Sequence, residues 1–135
     1  FGDPETEVVL PLLESDAYDV FYGIATGTNS QSPIANSPLQ WRNEATIGVV
    51  LASKGYPGSY AKGAVIEGTE QFDGPIFHMG TKNDNGVLKT NGGRVMMCIA
   101  TGKDIATARA KVYKEIEKIH CDNLFYRKDI AHWAL

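Results

Sequence analysis

The sequence predicts an α+β fold, in which several short strands gather around one long helix. Apolar, β-branched runs recur between Ala45 and Thr101 and are interrupted by glycine, proline and asparagine. One long amphipathic helix follows, from Asp104 to Ile119. Strands that alternated with helices would indicate βαβ units, so the clustering favours α+β. With 135 residues and 43% apolar composition, the chain can bury one modest core, which indicates one domain and an appendage.

The first 26 residues predict two short helices in series. Asp3, Pro4 and the acids after them are typical of a helix start, with the aspartate capping free N–H groups and the proline at the first helical position. Ser15 and Asp16 predict a second helix start. The apolar residues expected to be buried recur at helical spacing: Val8, Val9, Leu12 and Leu13 in the first helix, and Ala17, Val20, Phe21, Ile24 and Ala25 in the second.

A change of composition separates these helices from the rest of the chain. From Gly27 to Pro38 the sequence is rich in Thr, Asn, Ser, Gln and Pro and has almost nothing to bury, which is typical of a linker. We therefore divide the chain into a helical segment at 1–26, a linker at 27–40 and a main domain at 41–135.

The main domain begins with the clearest strand, Ala45 to Ser53, which is apolar and rich in β-branched residues. Glycine and proline at residues 54–58 end it. Further along, Asn85 and Gly86 predict the tight turn of a hairpin. The shorter strand candidates are Ala64 to Glu67, Pro75 to Met79, Val87 to Thr90, Arg94 to Thr101 and Leu124 to Arg127.

The helix from Asp104 to Ile119 has a pronounced amphipathic pattern. One apolar stripe is expected to face the core, while lysine and glutamate occupy the other positions. Its last turn is basic, as the negative end of a helix dipole favours. The stripe consists of Ile105, Ala108, Val112, Ile116 and Ile119.

Charge and hydropathy exclude several classes of function. Thirteen basic residues against sixteen acids give a net charge of −3, and the basic residues are spread along the chain, which argues against binding of nucleic acid. The longest apolar runs are far too short to cross a bilayer, so no membrane segment is expected. Cys98 and Cys121 are isolated, which argues against a disulfide framework or a structural zinc site and favours the reduced cytoplasm.

The first residues bear on whether the chain is part of a longer protein. The chain opens directly in the run FGDPETE, without an initiator methionine. Neither a basic leader nor a cleavable apolar segment is present at this point. We therefore expect the chain to be a fragment of a longer protein.

Four short runs combine glycine with charge. Glycine allows close backbone approach to a ligand, and lysine or arginine supplies the positive charge that a phosphate requires. On composition alone each run is more simply a turn, because glycine dominates turns. The runs are Gly2-Asp3-Pro4-Glu5, Lys54 to Gly58, Gly80-Thr81-Lys82 and Asn91 to Arg94.

The other polar candidates have structural explanations. The three histidines have no nucleophile or second ligand at a telling spacing and are expected to be structural. Cys98 lies in an apolar run and is expected to pack in the core. Asp3, Glu5 and Glu7 are compatible both with metal ligands and with acids at a helix start.

Five runs stand out when they are read in order. They are FGDPETE, ASKGYPGSYAKG (Ala52 to Gly63), FHMGT (Phe77 to Thr81), TNGGRV (Thr90 to Val95) and FYRKDI (Phe125 to Ile130). Together they resemble the successive signatures of glycinamide ribonucleotide synthetase, the phosphoribosylamine-glycine ligase family of purine biosynthesis. The resemblance spans nearly the whole chain.

This resemblance implies a fold. The family consists of ATP-grasp ligases, so residues 1–26 would be the last helices of the ATP-grasp domain. Residues 41–135 would be the C-terminal domain, a small β domain of the barrel-sandwich-hybrid type with one covering helix. That architecture agrees with the α+β pattern described above.

The resemblance also implies an activity for the full-length parent. Members of the family use ATP and Mg²⁺, or Mn²⁺, to phosphorylate the glycine carboxylate, and the amine of 5-phosphoribosylamine then attacks the glycyl phosphate. The metal ligands are expected upstream of Phe1, so this fragment is expected to bind no cofactor and to be inactive alone. Its expected partners are glycine, 5-phosphoribosylamine and the rest of the parent enzyme, in the cytoplasm.

Site residues follow from the same resemblance. Gly2, Asp3, Pro4 and Glu5 would belong to the acceptor end of the site. Lys54-Gly55 and Gly93-Arg94 would hold the ribose phosphate, with backbone N–H groups and two cations converging on the anion. We expect no catalytic residue within the fragment.

Three positions depart from the family pattern. Glu7 stands where glutamine is usual, Met79 replaces a small residue, and Ala131 stands where glycine is expected. None of them is one of the proposed cations.

Two other functions remain open. The chain could be a stand-alone module that binds a sugar phosphate or another protein without catalysis. It could also be a lipoyl or biotinyl carrier, but such domains need a modifiable lysine at a hairpin tip. The best hairpin tip here is Asn83 to Gly86, and Lys82 and Lys89 only flank it.

Overall fold

The computed structural model describes residues 2–27 and 39–135. Short 3₁₀ helices lie at Leu10–Leu12, Thr69–Gln71 and His132–Ala134. The other elements, in chain order, are α1 (Glu5–Val9), α2 (Ala17–Thr26), β1 (Ala45–Ser53), β2 (Ile76–His78), β3 (Thr81–Asp84), β4 (Val87–Thr90), β5 (Arg94–Gly102), α3 (Ile105–Ile116) and β6 (Leu124–Phe125). The α+β prediction is confirmed. Most of the predicted linker lies outside the described residues, and the domain boundaries stay predictions.

Four antiparallel strands form the central sheet, in the order β2-β5-β1-β6. β1 and β5 pair along most of their length, from Ala45 opposite Gly102 to Leu51 opposite Met96. The register then shifts, so that Ala52 lies opposite Arg94. Such an irregularity bends a strand and redirects its side chains. It occurs at the end of the sheet where β1 finishes and β5 begins.

The core lies between one face of this sheet and α3. Asp104 caps α3 by accepting a hydrogen bond of 2.7 Å from the Thr107 N–H. The predicted stripe is confirmed for Ala108, Val112 and Ile116, which are buried. Ile105 and Ile119 are half-buried against the core, and the helix ends at Ile116, before the predicted Ile119. Alternate residues of β1, namely Ile47, Val49 and Leu51, belong to the same cluster.

Helix α1 contacts the sheet at Gly48 of β1. A Cβ at this position would lie 2.7 Å from Cγ1 of Val8, so glycine allows the close approach. The expected burial of the apolar residues in this segment is only partly right, because Val8, Val9, Leu12 and Leu13 are half-buried.

Two buried oxygens lack a hydrogen-bond partner among the described residues: Oε2 of Glu7 on α1 and Oγ1 of Thr46 on β1.

Helix α2 begins as the sequence predicts. Asp16 is its N-cap and accepts a hydrogen bond of 3.2 Å from the Asp19 N–H. The expected burial of its apolar stripe is wrong for Phe21 and Ile24, which are 55% and 65% exposed. The reason is that α2 contacts the sheet domain little, so its apolar face has few described neighbours to pack against.

The second sheet is a hairpin that sequence reasoning found only in part. The predicted turn at Asn85 and Gly86 is confirmed, and both residues have positive φ, 53° and 87°. Thr81–Asp84, part of which was expected to be turn, is strand β3 and pairs with β4. The tight turn places Asp84 opposite Val87. That pairing overrides the low strand propensity of asparagine and aspartate.

Two other strand predictions need correction. Residues 64–67 form no strand, because Val65 bridges Lys89 while Glu67 bridges His120, so no continuous ladder develops. Leu124–Phe125 is shorter than the predicted strand to Arg127. It pairs only with Ala52 and Ser53 of β1, and the ladder stops at the register shift between Leu51 and Ala52.

Candidate functional site

The loop before α1 lies against the start of β5. Oδ2 of Asp3 is 3.4 Å from Nη2 of Arg94, and both side chains are half-exposed. The prediction that Asp3 caps α1 is wrong, because Pro4 is the N-cap residue and no side chain caps this helix. The prediction of proline at the first helical position is also wrong, since α1 begins at Glu5. Attraction to the guanidinium outweighs a hydrogen bond to a neutral N–H.

Hydrogen bonds hold the end of β1 beside the start of β5. The Ser53 N–H donates to the Gly93 carbonyl at 2.8 Å, and the Ser53 hydroxyl donates to the Gly92 carbonyl, also at 2.8 Å. Ser53 is fully buried, so water does not compete for these bonds. Lys54 follows Ser53 directly, and it therefore leaves the sheet next to the segment that contains Arg94.

A third glycine-containing run joins the same end of the sheet. The Asn91 N–H donates to the Gly80 carbonyl at 2.8 Å. A Cβ at Gly80 would lie 2.8 Å from Cα of Gly92, so the two backbones are in direct contact. All four runs in which the sequence combines glycine with charge therefore meet in one region.

Glycine and an aromatic ring shape the loop after Lys54. Gly55 has a φ of 97°, and a Cβ there would collide with the Ser59 carbonyl. The ring of Tyr56 packs directly on Gly93, where a Cβ would overlap it. Tyr56 is 37% exposed, so part of its ring borders the site. Sequence reasoning missed Ser53 and Tyr56 as supporting residues, although both lie in one of the quoted runs.

The two cations in this region keep unused hydrogen-bond donors. Lys54 is exposed, and within the described residues its Nζ forms no ion pair or hydrogen bond. Arg94 forms an ion pair with Asp3 at 3.4 Å, and its side chain forms no hydrogen bond within the described residues. By comparison, Arg127 donates two hydrogen bonds to Asp129, of 2.9 and 2.7 Å, which raise the pKa of Arg127. Lys54 and Arg94 can therefore both donate to an anion.

The remaining candidates do not form a second site. Within residues 2–27 and 39–135, no three His, Cys, Asp or Glu side chains are grouped so that they could hold a metal ion. The prediction that Cys98 packs in the core is confirmed, and burial raises the pKa of its thiol to about 12.

No helix in the described part of the chain has both the length and the apolar character needed to cross a bilayer.

Comparison with known proteins gives consistent matches. A family model described as phosphoribosylglycinamide synthetase, C domain, matches residues 46–133. The phosphoribosylamine-glycine ligase of Halalkalibacterium halodurans is 47% identical over 137 residues, which cover 100% of this chain and 30% of that protein. The trifunctional purine biosynthetic protein adenosine-3 of Gallus gallus is 39% identical, over 100% of this chain and 13% of that protein.

A solved structure matches the fold as well. The crystal structure of the phosphoribosylamine-glycine ligase of Thermotoga maritima superposes with a TM-score of 0.76 at 37% sequence identity. The match covers 97% of this chain and 31% of that one, so the chain spans about three tenths of these bacterial relatives. The family resemblance seen in the five sequence runs is confirmed, and the chain belongs to the family of the phosphoribosylglycinamide synthetase C domain.

Proposed function

We propose that this chain is the C-terminal part of a ligase that joins glycine to 5-phosphoribosylamine, with ATP hydrolysis, in de novo purine biosynthesis in the cytoplasm. One observation carries the proposal. It is the hydrogen bond from the Ser53 N–H, next to Lys54, to the Gly93 carbonyl, next to Arg94, in a chain 47% identical to a phosphoribosylamine-glycine ligase.

The reaction proceeds in two steps. An oxygen of the glycine carboxylate attacks the γ-phosphorus of ATP, and ADP leaves. The amine nitrogen of 5-phosphoribosylamine then attacks the acyl carbon of the glycyl phosphate, phosphate leaves, and the new amide nitrogen loses a proton. When bound, Mg²⁺ would offset the charge on the transferred phosphoryl group. We assign the metal ligands to the part of the parent that precedes this chain.

In this scheme the described residues position the acceptor. Its phosphate carries up to two negative charges, which the Lys54 ammonium and the Arg94 guanidinium would balance. Gly55 and Gly93 would shape this end of the site, because only glycine fits beside the Ser59 carbonyl and under the Tyr56 ring. The loop formed by Gly2, Asp3, Pro4 and Glu5 would line the acceptor end of the site. Holding the amine near the acyl carbon lowers the barrier mainly through proximity and orientation.

Two proteins test this proposal. The first is the chain alone, and the second is a chimaera in which the chain replaces the matching segment of the Halalkalibacterium halodurans ligase. Each is mixed with ATP, Mg²⁺, glycine and 5-phosphoribosylamine, and ADP release is measured. We expect glycine-dependent turnover by the chimaera and none by the chain alone. A folded but inactive chimaera would contradict the assigned activity. Turnover by the chain alone would contradict the proposal that the active site is divided between this chain and the rest of the parent enzyme.

Calorimetric titration of the chain alone with ribose 5-phosphate tests the alternative function, a stand-alone module that binds a sugar phosphate. A self-sufficient sugar-phosphate module should bind this ligand tightly without any other protein. Half of a divided site should bind it weakly. Tight binding together with an inactive chimaera would therefore favour the binding module over the ligase.

A further inference from the structure

The contact between Asp3 and Arg94 joins two parts of the candidate site. Asp3 lies in the loop before α1, and Arg94 is the first residue of β5. Both ends of the contact are anchored. The loop is continuous with α1, which touches the sheet at Gly48, and the backbone next to Arg94 is hydrogen-bonded to buried Ser53. The ion pair therefore joins two anchored backbone segments.

The ion pair between Asp3 and Arg94 leaves hydrogen-bond donors of the guanidinium unused. Nη2 of Arg94 lies 3.4 Å from Oδ2 of Asp3, and the Arg94 side chain forms no hydrogen bond among residues 2–27 and 39–135. Both side chains are exposed by about two fifths, 41% for Arg94 and 43% for Asp3. A phosphate can therefore reach the guanidinium from the solvent side while the carboxylate stays at Nη2.

We propose that Asp3 is a positioning residue for Arg94, whose guanidinium it holds through their ion pair so that N–H donors without another partner face the phosphate of the acceptor. This inference rests on the proposed function and adds a role for Asp3 within it. Arginine has many rotamers, and ordering one on binding costs free energy that a pre-existing contact removes.

Two possible roles of Asp3 predict opposite changes in phosphate binding when its charge is removed. If Asp3 positions Arg94, removal of its charge weakens binding of the phosphate. If Asp3 instead occupies Arg94 until the ligand displaces it, removal of its charge strengthens that binding, because a negative neighbour disappears. Asp3→Asn keeps the shape and removes the charge, so it separates the two roles.

The test uses the chimaera with the Halalkalibacterium halodurans ligase. For Asp3→Asn we expect the KM for 5-phosphoribosylamine to rise about fivefold, as loss of one weak charged contact implies, while the KM for ATP and the melting temperature stay unchanged. Asp3→Glu, which restores the charge, should recover part of the loss. In an Arg94→Ala background, Asp3→Asn should add nothing, because the side chain through which Asp3 acts is gone.

Asp73→Asn is the matched control. Asp73 pairs with Lys111 at 3.3 Å, nearly the same distance, and Lys111 lies on α3. This substitution should leave every kinetic parameter unchanged. The inference would be overturned if Asp3→Asn lowered the KM for 5-phosphoribosylamine or left it unchanged. It would also be overturned if Asp3→Asn had its full effect in the Arg94→Ala background. Equal changes in all parameters would indicate a merely structural role and would overturn it too.

A second measurement keeps the inference separate from the proposed function. Ribose 5-phosphate and inorganic phosphate are titrated into the chain alone and into its Asp3→Asn variant. Weaker binding of both anions by the variant supports the positioning role even if the chimaera proves inactive. Equal or stronger binding by the variant contradicts that role even if the chimaera is fully active.

Discussion

Gly80 packs directly against the backbone of Arg94, and a Cβ at residue 80 would lie 2.5 Å from the Arg94 carbonyl oxygen. Real Cβ atoms essentially never come this close to another atom. The contact fixes the backbone from which the Arg94 side chain extends. The position of this guanidinium thus depends on a residue that carries neither a charge nor a side chain.

Gly80→Ala should therefore destabilise the fold. The new methyl group meets backbone atoms of both Arg94 and Gly92, which cannot rotate away as a flexible side chain could. We expect a loss of about 1–3 kcal/mol in the free energy of unfolding, measured by denaturant titration. Gly2→Ala is the control, because a Cβ there meets nothing within 4 Å. Equal stability of the two variants would contradict the close packing at Gly80.

Glu7→Gln should stabilise the chain. Oε2 of Glu7 is buried without a hydrogen-bond partner among the described residues, and desolvation of a charged oxygen costs more than that of an amide. We expect a gain of roughly 1 kcal/mol, seen as a higher melting temperature. The control is Glu5→Gln, the same change on the same helix at an exposed position. A Glu7→Gln variant that melts no higher than this control would show that the carboxylate is satisfied in solution.

Glu115 should make stability depend on acidic pH. Its carboxylate accepts hydrogen bonds from the Lys118 ammonium and from the Asp73 N–H, the latter at 2.8 Å, and these lower its pKa below the ordinary value of 4.5. A lowered pKa means that this stabilisation is fully present above pH 4.5 and is lost as the pH falls through the lowered value. Melting curves between pH 3 and pH 6 should show it, and Glu115→Gln should flatten the dependence. An unchanged slope in that variant would contradict the contribution.

The two cysteines should differ in reactivity. Burial raises the pKa of the Cys98 thiol to about 12, so almost no thiolate is present at neutral pH, whereas Cys121 is partly exposed. A disulfide reagent attacks the thiolate, so the native chain should release one equivalent of chromophore quickly. The second equivalent should appear only on unfolding. The rapid phase should vanish in Cys121→Ser, and its persistence there would place Cys98 within reach of solvent.

Much of the sheet domain was predictable because local rules and tertiary structure agree there. The strand Ala45–Ser53 matches its predicted bounds, since an apolar β-branched run is followed at once by glycine and proline. Asp104 marks the start of α3, and the turn at Asn85 and Gly86 marks the hairpin. In each case one strong local signal decides the structure.

The parts that were not predictable depend on distant residues. Asp3 has the sequence of a helix cap, and only the folded chain reveals that Arg94 lies within reach of it. The spacing on α2 correctly indicates an apolar face, but spacing does not reveal whether another element covers that face. Ser53 and Tyr56 support the site through a backbone contact and a ring contact, for which a single sequence contains no signal.

The most direct test of the whole account is steady-state kinetics of Lys54→Ala in the chimaera. The Lys54 ammonium is exposed and has no described partner, so its removal should spare the fold. Loss of a charged contact to phosphate should raise the KM for 5-phosphoribosylamine roughly tenfold, with little change in the KM for ATP. Lys114→Ala, which removes an exposed lysine of α3, should change neither. Equal effects of Lys54→Ala on both substrates, or none, would contradict the assignment of this end of the sheet to the ribose phosphate.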